Sequence, residues 1–211
     1  MMKSYVRAVA PEPVWKFAKN VSVLAKRAVL YDSRNWLRIK QIEAWKAFFA
    51  ERAPLGTILE ISPGGNDTWS RLPCAGYRTV SYPSFDISRE ALDEQFDFVI
   101  ADQVLEHVAA PLDALRNIRK MVRPAGYAII ATPFLFRVHA RPHDYSRWTE
   151  SGLVNLLVEG GFQRDDIVSS AWGNKACARA HIGGPVRDYG WWRDLSNDPE
   201  YPLQVWCFAK K

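Results

Sequence analysis

A carboxylate followed by a loop of small residues stands at the end of a short apolar run. The run closes on Glu60, and Ser62, Gly64 and Gly65 follow it within five residues. In an open α/β sheet, ligands bind beyond the carboxyl ends of the strands, where a glycine turn lets backbone N–H groups approach them. An acidic side chain there repels phosphate and attracts a cationic group such as an ammonium or a sulfonium. Because the spacing also departs from the GxGxxG pattern of dinucleotide sites, we expect a different kind of ligand at this loop.

The elements that must position this loop are short apolar runs that alternate with helical segments. This alternation is typical of βαβ units around a parallel sheet. A crossover helix is predicted at residues 111–122, and Thr149 is predicted to cap a later helix. We therefore expect an α/β fold with a mostly parallel twisted sheet, helices on both faces and an antiparallel strand at the C-terminus. The predicted strands cover residues 57–61, 78–82, 98–101 and 127–131, each buried on both faces, and then 166–172 and 203–209.

Two helices are predicted ahead of the sheet. Apolar residues recur every three or four positions over residues 14–28, and a second helix is predicted from Asp32 or Ser33 to about residue 52. We interpret residues 1–54 as a helical N-terminal appendage and residues 55–211 as the main domain. The buried side of the second helix is predicted to carry Ile39, Ile42, Trp45 and Phe49.

The positive charge of the chain is concentrated in this first quarter. Residues 1–52 hold eleven Lys or Arg against four Asp or Glu, a net charge of +7, whereas residues 53–211 sum to −2. Such a segment is more often the solvated face of amphipathic helices, but it can attract phosphate or anionic lipid. Peripheral contact with a membrane therefore stays open. Because no recognised RNA-binding motif accompanies the charge, nucleic acid is not an expected partner.

The composition excludes several classes of protein. With 48% apolar and 13% aromatic residues in 211 positions, the chain has the material for one globular domain. Its longest stretch without a charged residue, at 124–136, is shorter than the ~20 residues of a membrane-spanning helix. The N-terminus shows no export signal, so a cytoplasmic location is expected. The three cysteines form no CxxC pair, which argues against a disulfide framework or a zinc ribbon.

A longer pattern adds a resemblance to a known family. The segment FDFVIADQVLEHV, followed by residues 111–115 and 123–127, resembles the fourth motif, crossover helix and fifth strand of class I S-adenosylmethionine-dependent methyltransferases. The glycine loop resembles their motif I. Residues 132–149 are similar to a bacterial subgroup of the type 11 methyltransferases. The resemblance covers about residues 55–172, and it implies a Rossmann-like methyltransferase fold with S-adenosylmethionine as the cofactor.

The resemblance also implies roles for the residues of the first strand and its loop. Glu60 matches the motif I acid that helps to hold the methionine portion of the cofactor, and Ser62, Gly64 and Gly65 match the loop beneath it. Ser62 and Asn66 replace two glycines of the family pattern. The strength of cofactor binding is therefore left open.

Further cofactor contacts are implied beyond the runs at residues 78–82 and 98–101. Asp102 and Gln103 match positions that line the methionine side. The acid expected to bind the ribose hydroxyls falls at Pro83, which carries no carboxylate. Asp86 is the nearest candidate, and it matches equally well a later acid that meets the adenine amino group.

Two histidines stand on the predicted acceptor side. His107 follows the run at residues 98–101 and His139 the run at residues 127–131, and an imidazole that titrates near neutral pH can take a proton from an acceptor. The alternative is a histidine that caps a helix or orders a loop. His139 and His143 are four residues apart, but Pro142 interrupts the stretch, so no metal site is predicted.

A polar cluster in the same loop is predicted to contact the substrate. Asp144, Tyr145 and Arg147 lie within four positions, and the planar fork of an arginine suits a carboxylate or phosphate. The competing interpretation is packing against the helix that begins after Thr149.

Together these features predict methyl transfer from S-adenosylmethionine to a small-molecule or saccharide acceptor, at oxygen or nitrogen. Two alternatives stay open. One is a methyltransferase fold that has lost catalysis and serves as a scaffold or regulatory protein. The other is an RNA-binding methyltransferase that uses the basic segment. The oligomeric state is not predicted.

Overall fold

The structure is a computed structural model, and it describes residues 31–64 and 68–211. These residues form two sheets and four helices. Short 3-10 turns lie at Trp36–Arg38, Leu105–His107 and Arg164–Asp166. The helices are α1 (Ile39–Ala50), α2 (Pro111–Met121), α3 (Glu150–Glu159) and α4 (Lys175–His181). The strands are β1 (Tyr31–Asn35), β2 (Leu55–Ile61), β3 (Cys74–Val80), β4 (Phe96–Asp102), β5 (Val122–Pro133), β6 (Ile167–Trp172), β7 (Asp188–Gly190) and β8 (Gln204–Lys210).

The larger sheet has the strand order β3-β2-β4-β5-β8-β6. Strands β2 to β5 are parallel where they pair, and β8 runs antiparallel to both β5 and β6. The predicted mostly parallel sheet with an antiparallel C-terminal strand is confirmed. Because the chain continues from β2 to β3 on one side and to β4 on the other, the strand order reverses at β2. The carboxyl ends of β2 and β4 therefore flank the crevice where such sheets bind ligands.

Helices cover both faces of this sheet, as predicted. The first face packs against α1 and α4, where Trp45 and Phe49 of α1 meet Ile58 of β2 and Phe98 of β4. The second face packs against α2 and α3. Successive residues of a strand point to opposite faces, so one strand serves both cores. The second core contains Leu59, Val99, Ile130, Cys207, Leu115, Ile118, Leu153 and Leu157, among others.

The local sequence explains where α2 and α3 begin and end. Pro111 occupies the first turn of α2 without the loss of a hydrogen bond. Thr149 caps α3 by accepting a hydrogen bond from the Gly152 N–H. After α3, Gly161 adopts a positive φ of 100°, a conformation that favours glycine and that ends the helix. The predicted helices at these positions are confirmed.

The second predicted helix starts later than expected. The helix was predicted to begin with Asp32 or Ser33 as its cap, but residues 31–35 form β1, which pairs with β7, and α1 begins only at Ile39. Local periodicity does not report pairing with a strand near the other end of the chain, so the boundary was predicted wrongly. The buried side was predicted correctly, since Ile39, Trp45 and Phe49 are almost fully buried.

The second predicted strand is also displaced. It was expected at residues 78–82, but β3 spans Cys74–Val80. β3 pairs only with β2, and none of its seven residues is buried. The expectation that this strand is buried on both faces is therefore wrong, because an edge strand has solvent along one side.

The structure describes residues 31–54 of the predicted appendage. Its first helix, at residues 14–28, lies outside the described residues. The part that is described, α1, packs into the core of the large sheet. The division at residue 54 remains a prediction. In the described ranges, 31–64 and 68–211, there is no helix long and apolar enough to cross a membrane.

Candidate active site

The crevice at the end of β2 and β4 brings two predicted cofactor residues together. Glu60 is the penultimate residue of β2, and Asp102 is the last residue of β4. Glu60 is two residues after Ile58, and Asp102 is two residues after Ile100. Because alternate residues of a strand point to the same face, both acids lie on the α1 face of the sheet with these two isoleucines. β2 and β4 are paired neighbours in the sheet, so the two carboxyl groups lie at the ends of adjacent strands. Burial raises the pKa of Glu60, and the negative charge of Asp102 adds to this shift.

Three donors from this chain bind the Asp102 carboxylate. The Arg38 guanidinium forms an ion pair with Oδ2. The Gln41 amide donates to Oδ1 at 2.9 Å, and the Trp69 indole N–H donates to Oδ2 at 2.9 Å. Arg38 also donates to Gln41, at 3.2 Å. These contacts tie the start of α1 and the chain after the β2 loop to the end of β4.

This network could not be predicted from the sequence as a set. Asp102 was predicted as a cofactor residue, but Arg38, Gln41 and Trp69 were not singled out. Gln41 is fully buried and Trp69 is 2% exposed. A buried glutamine needs a hydrogen-bond partner, but the sequence does not show which helix positions are buried beside Asp102.

Glu60 has a different environment from Asp102. Glu60 is only 3% exposed, and the Tyr77 hydroxyl of β3 donates a hydrogen bond to its Oε2. Burial is the main cause of the raised pKa of Glu60, and the hydrogen bond from Tyr77 opposes it. A carboxylate in such a place gains from a cationic partner.

The loop after β2 opens toward free space. Ser62 adopts a positive φ of 50° and donates its backbone N–H to the carbonyl of Val80 at 2.7 Å. Gly64 is exposed, and no other side chain or backbone atom of the described residues lies within 4 Å of the position a Cβ would take. Gly65, the last predicted residue of this loop, lies outside the described residues. Left-handed backbone at a non-glycine residue costs energy and is concentrated at functional sites.

Gln103 repeats this geometry at the end of β4. Its φ is 61°, and its backbone N–H donates to the carbonyl of Ala131 at 2.9 Å. Its side-chain amide donates to Gln204 of β8 at 2.7 Å. The predicted contact of Gln103 with a cofactor stays a prediction, since the amide nitrogen is held on the β8 side.

Asp86 lies in a turn of its own between β3 and β4. Its Oδ1 accepts hydrogen bonds from the backbone N–H and the hydroxyl of Ser88, at 3.0 and 2.6 Å. The Ser88 hydroxyl holds the pKa of Asp86 below its usual value. The carboxylate thus stabilises the turn, and its predicted role toward the cofactor is not tested by this geometry.

A buried carboxyl group, for which no role was predicted from the sequence, lies beside His107 and His139. Glu106 is fully buried, and neither of its carboxyl oxygens has a hydrogen-bond partner within the described part of the chain. Burial raises the pKa of Glu106 to about 8, and the charge of Asp102 adds to the shift. The available signal was its place in Leu105-Glu106-His107, immediately after a buried strand.

Both predicted catalytic histidines face Glu106. His107 Nε2 lies 3.8 Å from Glu106 Oε1, and His139 Nε2 lies 3.9 Å from the same atom. The two rings meet edge to face with centroids 4.9 Å apart. The structure therefore brings together two histidines that are 32 positions apart in the sequence, at the ends of adjacent strands β4 and β5.

The predicted substrate cluster divides into two parts. Asp144 forms a two-pronged ion pair with Arg147 and accepts the backbone N–H of His139 at 2.8 Å. This pairing holds the pKa of Asp144 well below its usual range. Arg147 also reaches His139 Nδ1 at 3.4 Å. Tyr145, by contrast, is 52% exposed.

These contacts favour a supporting role for Asp144 and Arg147. Arg147 is predicted to bind an anion of the substrate, but two of its nitrogens already bind Asp144. Substrate contact by Asp144 and Arg147 stays a prediction, and Tyr145 is the member of the cluster that solvent reaches most easily.

Part of the crevice suits a cofactor that carries a cationic group. Glu60 offers a buried carboxylate, and the free space beside Gly64 leaves room for a ligand against the loop. Both oxygens of Asp102 already accept hydrogen bonds, from Arg38, Gln41 and Trp69. Of the predicted cofactor residues, Glu60, Ser62 and Gly64 are therefore the ones whose surroundings suit S-adenosylmethionine.

A family model described as "Methyltransferase domain" matches residues 34–163, which is well over half of the chain. The chain belongs to the methyltransferase domain family. The match begins within β1 and runs beyond α3, so it includes both halves of the crevice. The recognition of a class I S-adenosylmethionine-dependent methyltransferase, and with it an enzyme, is confirmed.

Solved methyltransferase structures have a fold similar to that of this chain. The 1,6-didemethyltoxoflavin-N1-methyltransferase of Burkholderia thailandensis is 16% identical over 96% of this chain and 91% of its own, with a TM-score of 0.55. An S-adenosylmethionine-dependent methyltransferase of Thermotoga maritima, described as a possible histamine N-methyltransferase, is 15% identical over 91% and 95%, also with a TM-score of 0.55. At this identity the likeness concerns the fold.

A curated relative of this methyltransferase matches over a shorter stretch. Methyltransferase calH of Penicillium decumbens is 37% identical over 57 residues, which is 25% of this chain and 16% of that protein. The match thus spans a small part of the relative's length.

Proposed function

We propose that this protein transfers a methyl group from S-adenosylmethionine to an oxygen or nitrogen of a small-molecule acceptor, saccharides included. The bound cofactor supplies the methyl group on a sulfonium, and Glu60 with the loop at Ser62 and Gly64 would hold it. The Burkholderia thailandensis and Bradyrhizobium japonicum N-methyltransferases were both solved with S-adenosylhomocysteine, which supports the choice of cofactor.

One observation carries this proposal. The cofactor loop follows β2, His107 follows β4 and His139 follows β5, and these three strands are parallel neighbours in the sheet, so the loop and the histidine pair lie at the same edge of the sheet. Methyl transfer depends largely on holding the acceptor atom and the methyl carbon at near-attack distance. His107 and His139 then lie on the side where the acceptor's proton must leave.

A neighbouring cavity supports an acceptor with an apolar body and a negative charge. The cavity has a volume of about 630 Å3 and is lined by aromatic residues together with three basic side chains, Arg137, Lys175 and Arg179. Phe136 lines it and lies 5.2 Å from the His139 ring, centroid to centroid. Its volume is within the range of small-molecule sites.

Calorimetry with S-adenosylhomocysteine tests the proposal. We expect saturable binding to the wild-type protein and a loss of affinity of about tenfold or more in Glu60→Ala, because a charge-assisted contact is removed. Glu51→Ala is the matched control, since the Glu51 side chain is 73% exposed and lies at the end of α1. No binding at millimolar concentration would contradict the proposal and favour the scaffold alternative.

Other parts of the prediction stay open to test. The cytoplasmic location remains a proposal. Contact of the basic N-terminal segment with membranes or nucleic acid rests largely on residues 1–30, which lie outside the described ranges. Steep weakening of nucleic-acid binding by salt would support an RNA-binding methyltransferase instead.

A further inference from the structure

The environment of Glu106 is unusual for a buried carboxyl group. Both oxygens are buried and without a hydrogen-bond partner among the described residues. The histidine nitrogens at 3.8 and 3.9 Å from Oε1 are beyond hydrogen-bond distance. Buried charged groups in proteins are normally paired or bind a metal ion, so this carboxyl group lacks a partner.

The other nitrogen of each histidine explains how the rings are oriented. His107 Nδ1 lies 2.5 Å from the backbone carbonyl of His143, and His139 Nδ1 lies 3.2 Å from Asp144 Oδ2. A backbone carbonyl only accepts, so His107 carries its ring proton on Nδ1. His139 Nδ1 also lies 3.4 Å from the Arg147 guanidinium, a donor, and it carries the ring proton when it donates to Asp144, as metal binding at Nε2 requires. Each Nε2 then presents a lone pair toward Glu106.

Three side chains that can each donate an electron pair therefore lie close together, and Glu106 releases its carboxyl proton when a cation binds. The ligating atoms of Glu106, His107 and His139 all lie within 4.8 Å of one another. We propose that these three residues bind a divalent first-row transition cation, and that Zn2+ is an ion this donor set suits. Two imidazoles and one carboxylate are common ligands of such ions.

The surroundings match those of known kinds of metal sites. Histidine ligands usually donate their second ring N–H to a carboxylate or a backbone carbonyl. Here His107 Nδ1 lies 2.5 Å from a backbone carbonyl, and His139 Nδ1 lies 3.2 Å from a carboxylate oxygen. In a tetrahedral site with bonds near 2.1 Å the ligand atoms stand about 3.4 Å apart. The separations of 3.8 and 3.9 Å between Glu106 and the two histidines are close to that value, and the three ligand atoms must move closer together from within 4.8 Å of one another. Three protein ligands leave the fourth position open.

The sequence predicted no metal site, and the structure shows why it was missed. The sequence test considered His139 with His143, which are four residues apart. The His143 side chain is exposed, and its backbone carbonyl orients His107 instead. The third ligand, Glu106, lies beside His107 in the sequence and had been noted only as part of a family pattern.

The consequence for catalysis rests on the proposed function. An acceptor hydroxyl bound at the open position would be more acidic; its O–H bond breaks, the electron pair stays on oxygen, and the proton passes to water. His107 and His139 would then act as metal ligands, and the cation would replace them as the group that activates the acceptor.

Metal binding by the tag-free, chelator-treated protein tests the site directly. We expect one Zn2+ per chain by calorimetry, in the micromolar range or tighter, and visible absorption bands when Co2+ is added. Glu106→Gln and His139→Asn should each weaken Zn2+ binding by about tenfold or more. Mg2+, which prefers oxygen ligands, should bind more weakly than Zn2+.

His143→Ala is the matched control, because it removes a histidine from the same loop and keeps the backbone carbonyl. It should bind Zn2+ like the wild type. Equal Zn2+ affinity in the wild type and Glu106→Gln, with both folded by circular dichroism, would overturn the site, as would absence of saturable binding at millimolar Zn2+.

The same samples separate this inference from the proposed function. Zn2+ binding that depends on Glu106, in a protein without S-adenosylhomocysteine binding, would support the metal site and contradict methyl transfer. Methyl transfer at an unchanged rate after chelation would contradict the role of the ion in catalysis.

Discussion

Asp102 and Glu106 are two acids four residues apart at the end of the same strand, and they have opposite environments. The Asp102 side chain is 8% exposed and accepts hydrogen bonds from three side chains. Glu106 is fully buried and has no hydrogen-bond partner in the described ranges. A carboxylate whose oxygens are all engaged stabilises the fold, whereas one that is buried and unpaired is available to a ligand.

Glu60 lies between these two extremes. Among the described residues it has one donor, Tyr77, and its pKa is raised mainly by burial. One occupied oxygen fixes the orientation of the carboxylate, and the other is open to a cationic partner. Counted over residues 31–64 and 68–211, the three acids around the crevice thus form a series in which the number of donors falls from three to one to none.

The largest effect is expected from Asp102→Ala. The substitution leaves the Arg38 guanidinium, the Gln41 amide and the Trp69 indole N–H without their acceptor. Loss of one partner of a buried ion pair costs about 3–5 kcal/mol, so we expect a decrease in the free energy of unfolding near the lower end of this range. Urea denaturation followed by tryptophan fluorescence measures it. A decrease below about 1 kcal/mol would mean that the network is not structural.

Asp144→Asn should act on the metal site rather than on the crevice as a whole. Asp144 orients His139 through Nδ1 and the backbone N–H, and loss of such a supporting carboxylate typically costs 10–100-fold in metal affinity. Zn2+ titration of the folded variant checks this. Asp113→Asn, which removes an exposed acid paired with Arg116, is the control, and equal affinities in the two variants would contradict the role of Asp144.

Tyr77→Phe tests the intermediate member of the series. The change removes one hydrogen bond to Glu60, and a single bond to a charged group contributes about 1.5–3 kcal/mol at most. Because Tyr77 is on the edge strand and only half-buried, we expect a loss of about 1 kcal/mol in the free energy of unfolding. Tyr82→Phe alters a tyrosine that is 62% exposed and should have almost no effect. A loss as large as that of Asp102→Ala would place Glu60 with the structural acids.

The sequence predicted the parallel strands β2, β4 and β5 and the helices α2 and α3 well, since these depend on local apolar runs and on signals such as Pro111 and Thr149. It predicted β1 wrongly because that strand is defined by pairing with β7. Its errors thus fall where the structure depends on contacts between distant parts of the chain.

The same reasoning applies to the candidate site. The sequence identified Glu60, Asp102, His107 and His139 by their positions after predicted strands. It gave no information on the number of donors around each acid, because those donors come from α1, β3 and the loop at Asp144. The distinction between a structural carboxylate and an available one therefore required the folded arrangement.

The smallest effect on stability is expected from Glu106→Gln in chelator-treated protein. The substitution keeps the shape of the side chain and removes no hydrogen bond, since neither oxygen has a partner within the described residues. We expect a free energy of unfolding within about 1 kcal/mol of the wild type, or higher, because the cost of burying an ionisable group is relieved. Urea denaturation at pH 7 measures it.

Asp97→Asn provides the comparison for Glu106→Gln. The Asp97 carboxylate accepts hydrogen bonds from the Thr57 backbone N–H, the Thr57 hydroxyl and Arg123, at 2.7, 2.9 and 2.8 Å. The same acid-to-amide change should therefore cost more at Asp97 than at Glu106. If Glu106→Gln proves the more destabilising of the two, Glu106 has partners that stabilise the fold, and the contrast between the paired and the unpaired acids fails. If the order is as expected, Glu106 contributes little to folding, and its presence in the crevice is explained by what it binds.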